Sequence, residues 1–298
     1  MSRPPRVAVI VPVRGAHATI QRCLESLAAQ SYRDFETIVV DDSSGSGTAD
    51  LIVSRFPEIR HLHVPRAGAP FLRDLGVRES SAPLLAFTEP DAYARPDWLE
   101  RMVRAHDETG EAIVGAVDCF GRRWLDRAVH LCNFAKWLPA GPRREVDIVP
   151  GASVVVSRRD YDAAGGFPGE RFVGEVVFSH ALRARGRGII LEPSAVVEHH
   201  YAGSFGAFVG ERSRGGVRYG AIQARQRRND RLELLWWLAI TALPLRLTKF
   251  LLRLVAQCRR AGRLRDLVET APVVGLGLSA SLAGEAVAYA RLLASRSR

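Results

Sequence analysis

The sequence predicts an α/β protein: a Rossmann-like, mostly parallel sheet flanked by helices, then a basic, apolar, α-helical C-terminal region. Three observations predict it. Apolar, β-rich runs alternate with helical periodicity through the first hundred residues, acidic residues stand just after two of those runs, and all the excess positive charge lies beyond residue 200.

Val7-Ala8-Val9-Ile10-Val11 is a continuous β-rich run, the pattern of a parallel strand buried on both faces. A turn near Gly15 leads into residues 18–30, where Ile20, Leu24 and Leu27 stand at helical spacing with Cys23 beside them. Glu36-Thr37-Ile38-Val39-Val40 reads as a second buried strand and runs straight into Asp41-Asp42-Ser43-Ser44-Gly45. Residues 48–56 read as a helix, 59–64 as a short third strand and 70–80 as a helix. Leu84-Leu85-Ala86-Phe87-Thr88 is a fourth strand ending in Glu89-Pro90-Asp91. This βαβαβ order calls for an open parallel sheet, which binds ligands outside the carboxyl ends of its strands. Pro12-Val13-Arg14, Asp41-Asp42 and Glu89-Pro90-Asp91 all lie at such ends. Further on, residues 113–117 and 153–157 read as strands, 176–185 as a helix stopped by Gly186, and 188–191 and 195–198 as short strands. Gly151-Ala152-Ser153 and Gly165-Gly166-Phe167-Pro168-Gly169 read as loop punctuation.

Composition excludes several classes. With 298 residues, 47% hydrophobic and 25% charged, the chain is neither disordered nor a fibrous rod. No GxGxxG follows the first strand and no GxxxxGK[ST] occurs, which argues against a dinucleotide oxidoreductase and excludes a P-loop. Cys23, Cys119, Cys132 and Cys258 form no CxxC pair and suit reduced thiols. The apolar run after Arg6 is cut off by Arg14, too short for a secretory signal, so no export is expected.

A family signature emerges from the joint pattern. It comprises Val9-Ile10-Val11-Pro12-Val13, Cys23-Leu24-Glu25-Ser26-Leu27, Gln30-Ser31-Tyr32 and Val39-Val40-Asp41-Asp42-Ser43-Ser44. It continues through Arg73-Asp74-Leu75-Gly76, Phe87-Thr88-Glu89-Pro90-Asp91, Pro96-Asp97-Trp98-Leu99, Gly174-Glu175 and Ala195-Val196-Val197-Glu198-His199-His200. Over about its first 200 residues the chain closely resembles family 2 glycosyltransferases, inverting enzymes of GT-A fold that use nucleotide sugars.

The resemblance implies roles residue by residue. Pro12, Val13, Arg14 and Asp42 would hold the base and ribose, although relatives usually carry Tyr-Asn where this chain has Arg14-Gly15. Glu89-Pro90-Asp91 stands where relatives have Asp-x-Asp, so Glu89 and Pro90 would meet the diphosphate, and Asp91 with Glu89 a metal, Mg²⁺ or Mn²⁺. His199 or His200 would complete the coordination, and Arg73 would meet the diphosphate. Relatives begin a later helix with Glu-Asp, the Asp being the catalytic base. Counting back from Gly186 puts Gly174 and Glu175 at those positions and makes Glu175 the base. The other register leaves Val176 there, which has no proton acceptor. Each assignment has a plainer rival: Asp41-Asp42-Ser43 as a turn and helix cap, Glu89 and Asp91 as surface acids, Glu175 as an acid favoured at a helix start, and the His pair as structural.

Residues 201–298 carry 17 basic and 6 acidic side chains, whereas residues 1–200 carry 25 and 26. Arginine supplies nearly all the cations, Lys136 and Lys249 being the only lysines. Residues 234–245 and 271–284 are uncharged apolar runs of 12 and 14, short of the ~20 a membrane span needs. Helices lying in an anionic interface satisfy both features, the alternative being packing on the catalytic domain or a homodimer. Arginines interleaved with Leu-Leu-Trp-Trp argue against a nucleic-acid partner.

The expectation is therefore a GT-A domain over 1–205, with a nucleotide-binding half at 1–100 and an acceptor half at 101–205, and a membrane-associating region over 206–298. It would move a sugar from a nucleoside diphosphate sugar, a UDP-sugar being favoured, to a lipid-linked or polysaccharide acceptor at the cytoplasmic face of the membrane. The rival from another class is a catalytically silent, membrane-bound nucleotide-sugar binding protein.

Overall fold

A computed structural model describes residues 3–14, 17–42, 47–64, 69–167, 173–226, 230–242 and 244–295. The turn residues Gly15, Ser43, Ser44, Gly45, Pro168 and Gly169 lie outside that set. The chain forms two compact units, Met1–Phe120 with Trp137–His200, and Gly121–Lys136 with Tyr201–Arg298.

In the first unit, β1 (Val7–Val13) is buried along its whole length, as its unbroken apolar run requires. It pairs in parallel with β2 (Phe35–Asp41), Val13 standing opposite Asp41, and β2 pairs in parallel with β3 (Arg60–His63). On its other side β1 pairs in parallel with β4 (Leu84–Thr88). The helices α1 (His17–Ala28), α2 (Thr48–Arg55) and α3 (Ala69–Arg78) connect these strands. This half is the expected parallel βαβαβ arrangement.

The second half of the sheet is mixed. β5 (Ala92–Ala94), α4 (Trp98–Thr109) and β6 (Ala112–Cys119) follow; α5 (Trp124–Phe134) belongs to the second unit; then come β7 (Arg144–Glu145), β8 (Ser153–Ser157), α6 (Arg158–Ala164), α7 (Val173–Ala184) and β9 (Ile189–His199). The strand order is β3-β2-β1-β4-β8-β6-β9-β5, with β7 on β9. β8 runs antiparallel between β4 and β6, while β6 and β9 are parallel. The valine run of β8 reads the same in either direction, because burial on both faces hides strand polarity.

The two short strands expected at 188–191 and 195–198 are one strand, β9. Its partner β6 shifts register between Gly115 and Ala116, so Pro193 sits in a bulge and pairing resumes at Val196. Buried Glu192 anchors that bulge by accepting hydrogen bonds from Ser194 and Arg143. α7 starts before residue 176 and takes Glu175 into its first turn; Gly186, at φ 72°, follows its end.

In the second unit, α8 (Phe205–Gln226), α9 (Arg231–Ala242), α10 (Pro244–Arg260) and α11 (Leu264–Ser295) join α5. Arg127 of α5 pairs with Asp266 and Glu269 of α11 at 2.8 and 2.6 Å. α8 and α11 meet backbone to backbone: a Cβ on Gly216 would lie 2.0 Å from the Ser281 carbonyl oxygen, and one on Gly284 2.0 Å from that of Ser213. The apolar run expected to stop at Glu285 continues through it. Glu285 is buried, 2.7 Å from Arg246, and accepts a 2.7 Å hydrogen bond from Tyr289. At 32 residues, α11 is long and apolar enough by length and composition to cross a membrane.

Candidate active site

The carboxyl ends of β1, β2, β4, β6 and β9 lie along one edge of the sheet, because two antiparallel steps through β8 bring β6 back parallel to β4. At the β1–β2 end, Pro12 and Val13 are buried and the group presented is the exposed Arg14. Arg14 Nε lies 3.1 Å from Asp42 Oδ2, and the Asp42 amide donates to the Val13 carbonyl at 3.1 Å. Burial pushes the Asp42 carboxyl up and Arg14 opposes it, while Asp41 adds to the rise and His63 works against it. Fully buried Asp41 is bracketed by His61 and His63 of β3, at 3.6 and 3.7 Å. Nothing in the sequence marked these histidines, since only the β2–β3 register brings them to Asp41.

At the β4 end, a tight turn through Pro90 (Ala92 N–H to Glu89 carbonyl, 3.0 Å) sets Glu89 and Asp91 side by side. The antiparallel pairing of Ala92 with His199 brings the end of β9 over them. His199 Nε2 is 3.6 Å from Glu89 Oε2 and 3.5 Å from Asp91 Oδ1. One donor atom from each of the three residues lies within 4.8 Å of the others. These separations are long for hydrogen bonds but short enough to converge on one ion. Two carboxylates and an imidazole fit a hard divalent cation such as Mg²⁺ or Mn²⁺. His200 turns the other way, its Nδ1 3.0 Å from the Tyr93 hydroxyl. The Asp91 charge is felt nearby. Burial first and Asp91 second push the Tyr93 hydroxyl up to about 12, and the same two causes raise the Cys23 thiol.

Arg73 and Glu175 complete the cluster. Both are buried, and Arg73 Nη1 donates to Glu175 Oε1 at 2.7 Å while Nη2 lies 3.7 Å from Glu89 Oε1. Glu175 Oε2 is buried with no hydrogen-bond partner among the described residues. Val176, the base position in the other register, is 1% exposed in the core. Gly151, which in the sequence reads as a loop glycine, lies against this cluster. A Cβ there would lie 2.7 Å from Arg73 Nη2, 2.8 Å from Glu175 Oε1 and 2.9 Å from Glu89 Oε1, so its backbone lies directly against all three charged groups.

Comparison with known proteins bears on the family and the fold. Residues 8–156 match the model of glycosyl transferase family 2. Glycosyltransferase AglE of Haloferax volcanii is 32% identical over 179 residues, which cover 52% of this chain and 59% of AglE. Validoxylamine A glucosyltransferase of Streptomyces hygroscopicus subsp. jinggangensis is 32% identical over 126 residues, 40% of this chain and 30% of that protein. The matches thus span less than two thirds of either relative. Among solved structures, mannosyltransferase PcManGT from Pyrobaculum calidifontis, in complex with GDP-Man and Mn²⁺, superposes with a TM-score of 0.57 at 20% identity, covering 100% of this chain and 89% of that one. S. aureus TarS 1-349, in complex with UDP-GlcNAc, gives 0.51 at 16% identity over 72% of this chain and 66% of that one. Both likenesses show the fold, which is of GT-A type. The family model covers half the sequence, including every strand of the parallel half, and the chain belongs to glycosyl transferase family 2.

Proposed function

We propose that this protein is a metal-dependent, inverting glycosyltransferase that moves a sugar from a nucleoside diphosphate sugar to a lipid-linked or polysaccharide acceptor. One observation carries the reading: Glu89, Asp91 and His199, whose donor atoms converge closely enough to suit a divalent cation, stand beside the buried Glu175 carboxylate at the ligand edge of a GT-A sheet. The neighbours' GDP-Man and UDP-GlcNAc support a nucleotide-sugar donor, for which a UDP-sugar is the favoured choice.

In this reading Asp42, with Arg14 and the backbone of Pro12 and Val13, receives the base and ribose. Glu89, Asp91 and His199 hold Mg²⁺ or Mn²⁺, which supplies Lewis-acid neutralisation of charge on the departing diphosphate. Glu175 takes the proton of the acceptor hydroxyl as its oxygen attacks the anomeric carbon from the face opposite the diphosphate, inverting that centre. General-base catalysis of this kind is typically worth ~10²–10⁴-fold.

Residues 1–205 form the transferase domain of this reading and 206–298 its membrane-associating region, at the cytoplasmic face. The second unit supports membrane contact. Leu232, Trp236, Leu245, Leu252 and Val268 are 63–77% exposed, interspersed with Arg231, Lys249, Arg253 and Arg265. The test is release of nucleoside diphosphate from a panel of UDP- and GDP-sugars by full-length protein with Mn²⁺ and membrane lipid extract. Acceptor-dependent release is expected. Donor that binds without any release would instead make the protein a silent nucleotide-sugar binder.

A further inference from the structure

Arg73 ranks beside Trp98 among the largest fully buried side chains, 2% exposed. A guanidinium so far from water is costly unless carboxylates and flat surfaces replace its hydration. Three groups do so here. Glu175 Oε1 accepts from Nη1 at 2.7 Å, Glu89 Oε1 lies 3.7 Å from Nη2, and the Phe167 ring centroid lies 4.9 Å below the guanidinium carbon. Phe167 is itself wedged between Phe87 and Phe178, at 5.0 and 4.5 Å between centroids. The Glu175 backbone is fixed independently, since its carbonyl accepts from Ser179 Oγ, which in turn accepts from the Val149 amide. One carboxylate oxygen of Glu175 is thus anchored while the other, Oε2, is buried with no hydrogen-bond partner among the described residues. Such an oxygen is expected to meet a ligand group.

We propose that Arg73 is the positioning residue of Glu175. By holding Oε1 it leaves Oε2 as the oxygen that receives the proton, and through Nη2 it ties that carboxylate to Glu89 of the cation-binding set; Gly151 provides the space for the pairing. This rests on Glu175 being the base. In the step served, the acceptor O–H proton passes to Glu175 Oε2 as the acceptor oxygen bonds to the anomeric carbon of the nucleoside diphosphate sugar. The anomeric carbon–oxygen bond breaks and its electron pair leaves with the diphosphate. Arg73 therefore acts on the chemical step through Glu175, and its role is distinct from gripping the donor's phosphates.

The test compares full-length wild type, Arg73→Gln, Arg73→Lys, Gly151→Ala, Glu175→Gln and the double variants Arg73→Gln/Glu175→Gln and Gly151→Ala/Glu175→Gln, by steady-state transfer and by calorimetric binding of UDP and GDP with Mn²⁺. Misplacing a reacting group by about 1 Å can cost ~10²-fold, so Arg73→Gln should lower kcat by about that factor with little change in donor KM or in nucleotide affinity. Arg73→Lys, which keeps the cation but loses the fork, should recover part of the loss. In the Glu175→Gln background, Arg73→Gln should cost nothing further, because the two residues act as a unit. Losses that multiply, or a kcat that holds while nucleotide affinity falls by about tenfold, would overturn the proposal in favour of a phosphate ligand. Should Arg73→Gln fail to fold, Gly151→Ala carries the test, since it keeps all three charged groups and displaces only their ends. A kcat loss that vanishes in the Glu175→Gln background supports the proposal, and an equal loss in both backgrounds overturns it. A Glu175→Gln protein that transfers at the wild-type rate removes the base reading itself, a different outcome from multiplying losses.

Discussion

Glu175 and Gly151 differ in how much the sequence says of them. The helix stop at Gly186 is a local signal, and counting back from it along the helix that the family resemblance implies puts Glu175, rather than Val176, at the base position. In the fold, Glu175 lies against Arg73 and Val176 against the core. Gly151 was not legible in this way. It lies 24 residues before Glu175 in the chain, and only the packing of three separate elements shows that a side chain there would strike the cluster. Glu175→Gln keeps shape and hydrogen-bonding capacity but cannot take a proton. Donor affinity should stay near normal while transfer falls by the ~10²–10⁴-fold expected for a lost base. Glu175→Asp keeps the acid but shortens its reach by one methylene, so partial activity is expected. A Gln variant that is as fast as wild type, with chemistry shown to limit the rate, would move the base elsewhere.

Among the elements, the parallel half of the sheet was legible because unbroken apolar runs and helical spacing are local patterns. The direction of β8 was not, because a strand buried on both faces carries no mark of polarity. Residues 188–191 and 195–198 read in the sequence as two strands, yet the bulge opposite Gly115 and Ala116 lets β9 run through both. The length of α11 was hidden by Glu285, a charge that its own unit buries against Arg246 and Tyr289. The glycines at the α8–α11 contact carry a prediction of their own. With a Cβ at 2.0 Å from a backbone oxygen, Gly216→Ala or Gly284→Ala must push the two helices apart. Overpacking of this sort typically costs ~1–3 kcal/mol. Hydrogen exchange should show protection lost in α8 and α11 with the sheet of the first unit unchanged, and equal protection in variant and wild type would refute that contact.

On the scale of the whole molecule, the net charge of +10 and its confinement beyond residue 200 were visible in composition alone. The membership of residues 121–136 in the second unit was not, since it depends on Arg127 reaching Asp266 and Glu269 across more than 130 residues of chain. Full-length protein should sediment with vesicles of anionic lipid and be released as salt rises, because screening shortens the reach of surface charge to ~8 Å at physiological ionic strength. Trp236→Ser should weaken that binding without altering the thermal midpoint, since Trp236 is 63% exposed. Binding unaffected by salt and by this substitution would assign the apolar helices to contacts other than lipid. The most direct test of the proposal that a divalent metal organises the active site is calorimetric titration of UDP and GDP into full-length wild type and Asp91→Ala, each with Mn²⁺ and with a chelator. Nucleotide binding that requires Mn²⁺ in the wild type and is lost in Asp91→Ala, with the fold intact, is the expected result; equal, Mn²⁺-dependent affinity in both proteins would contradict it.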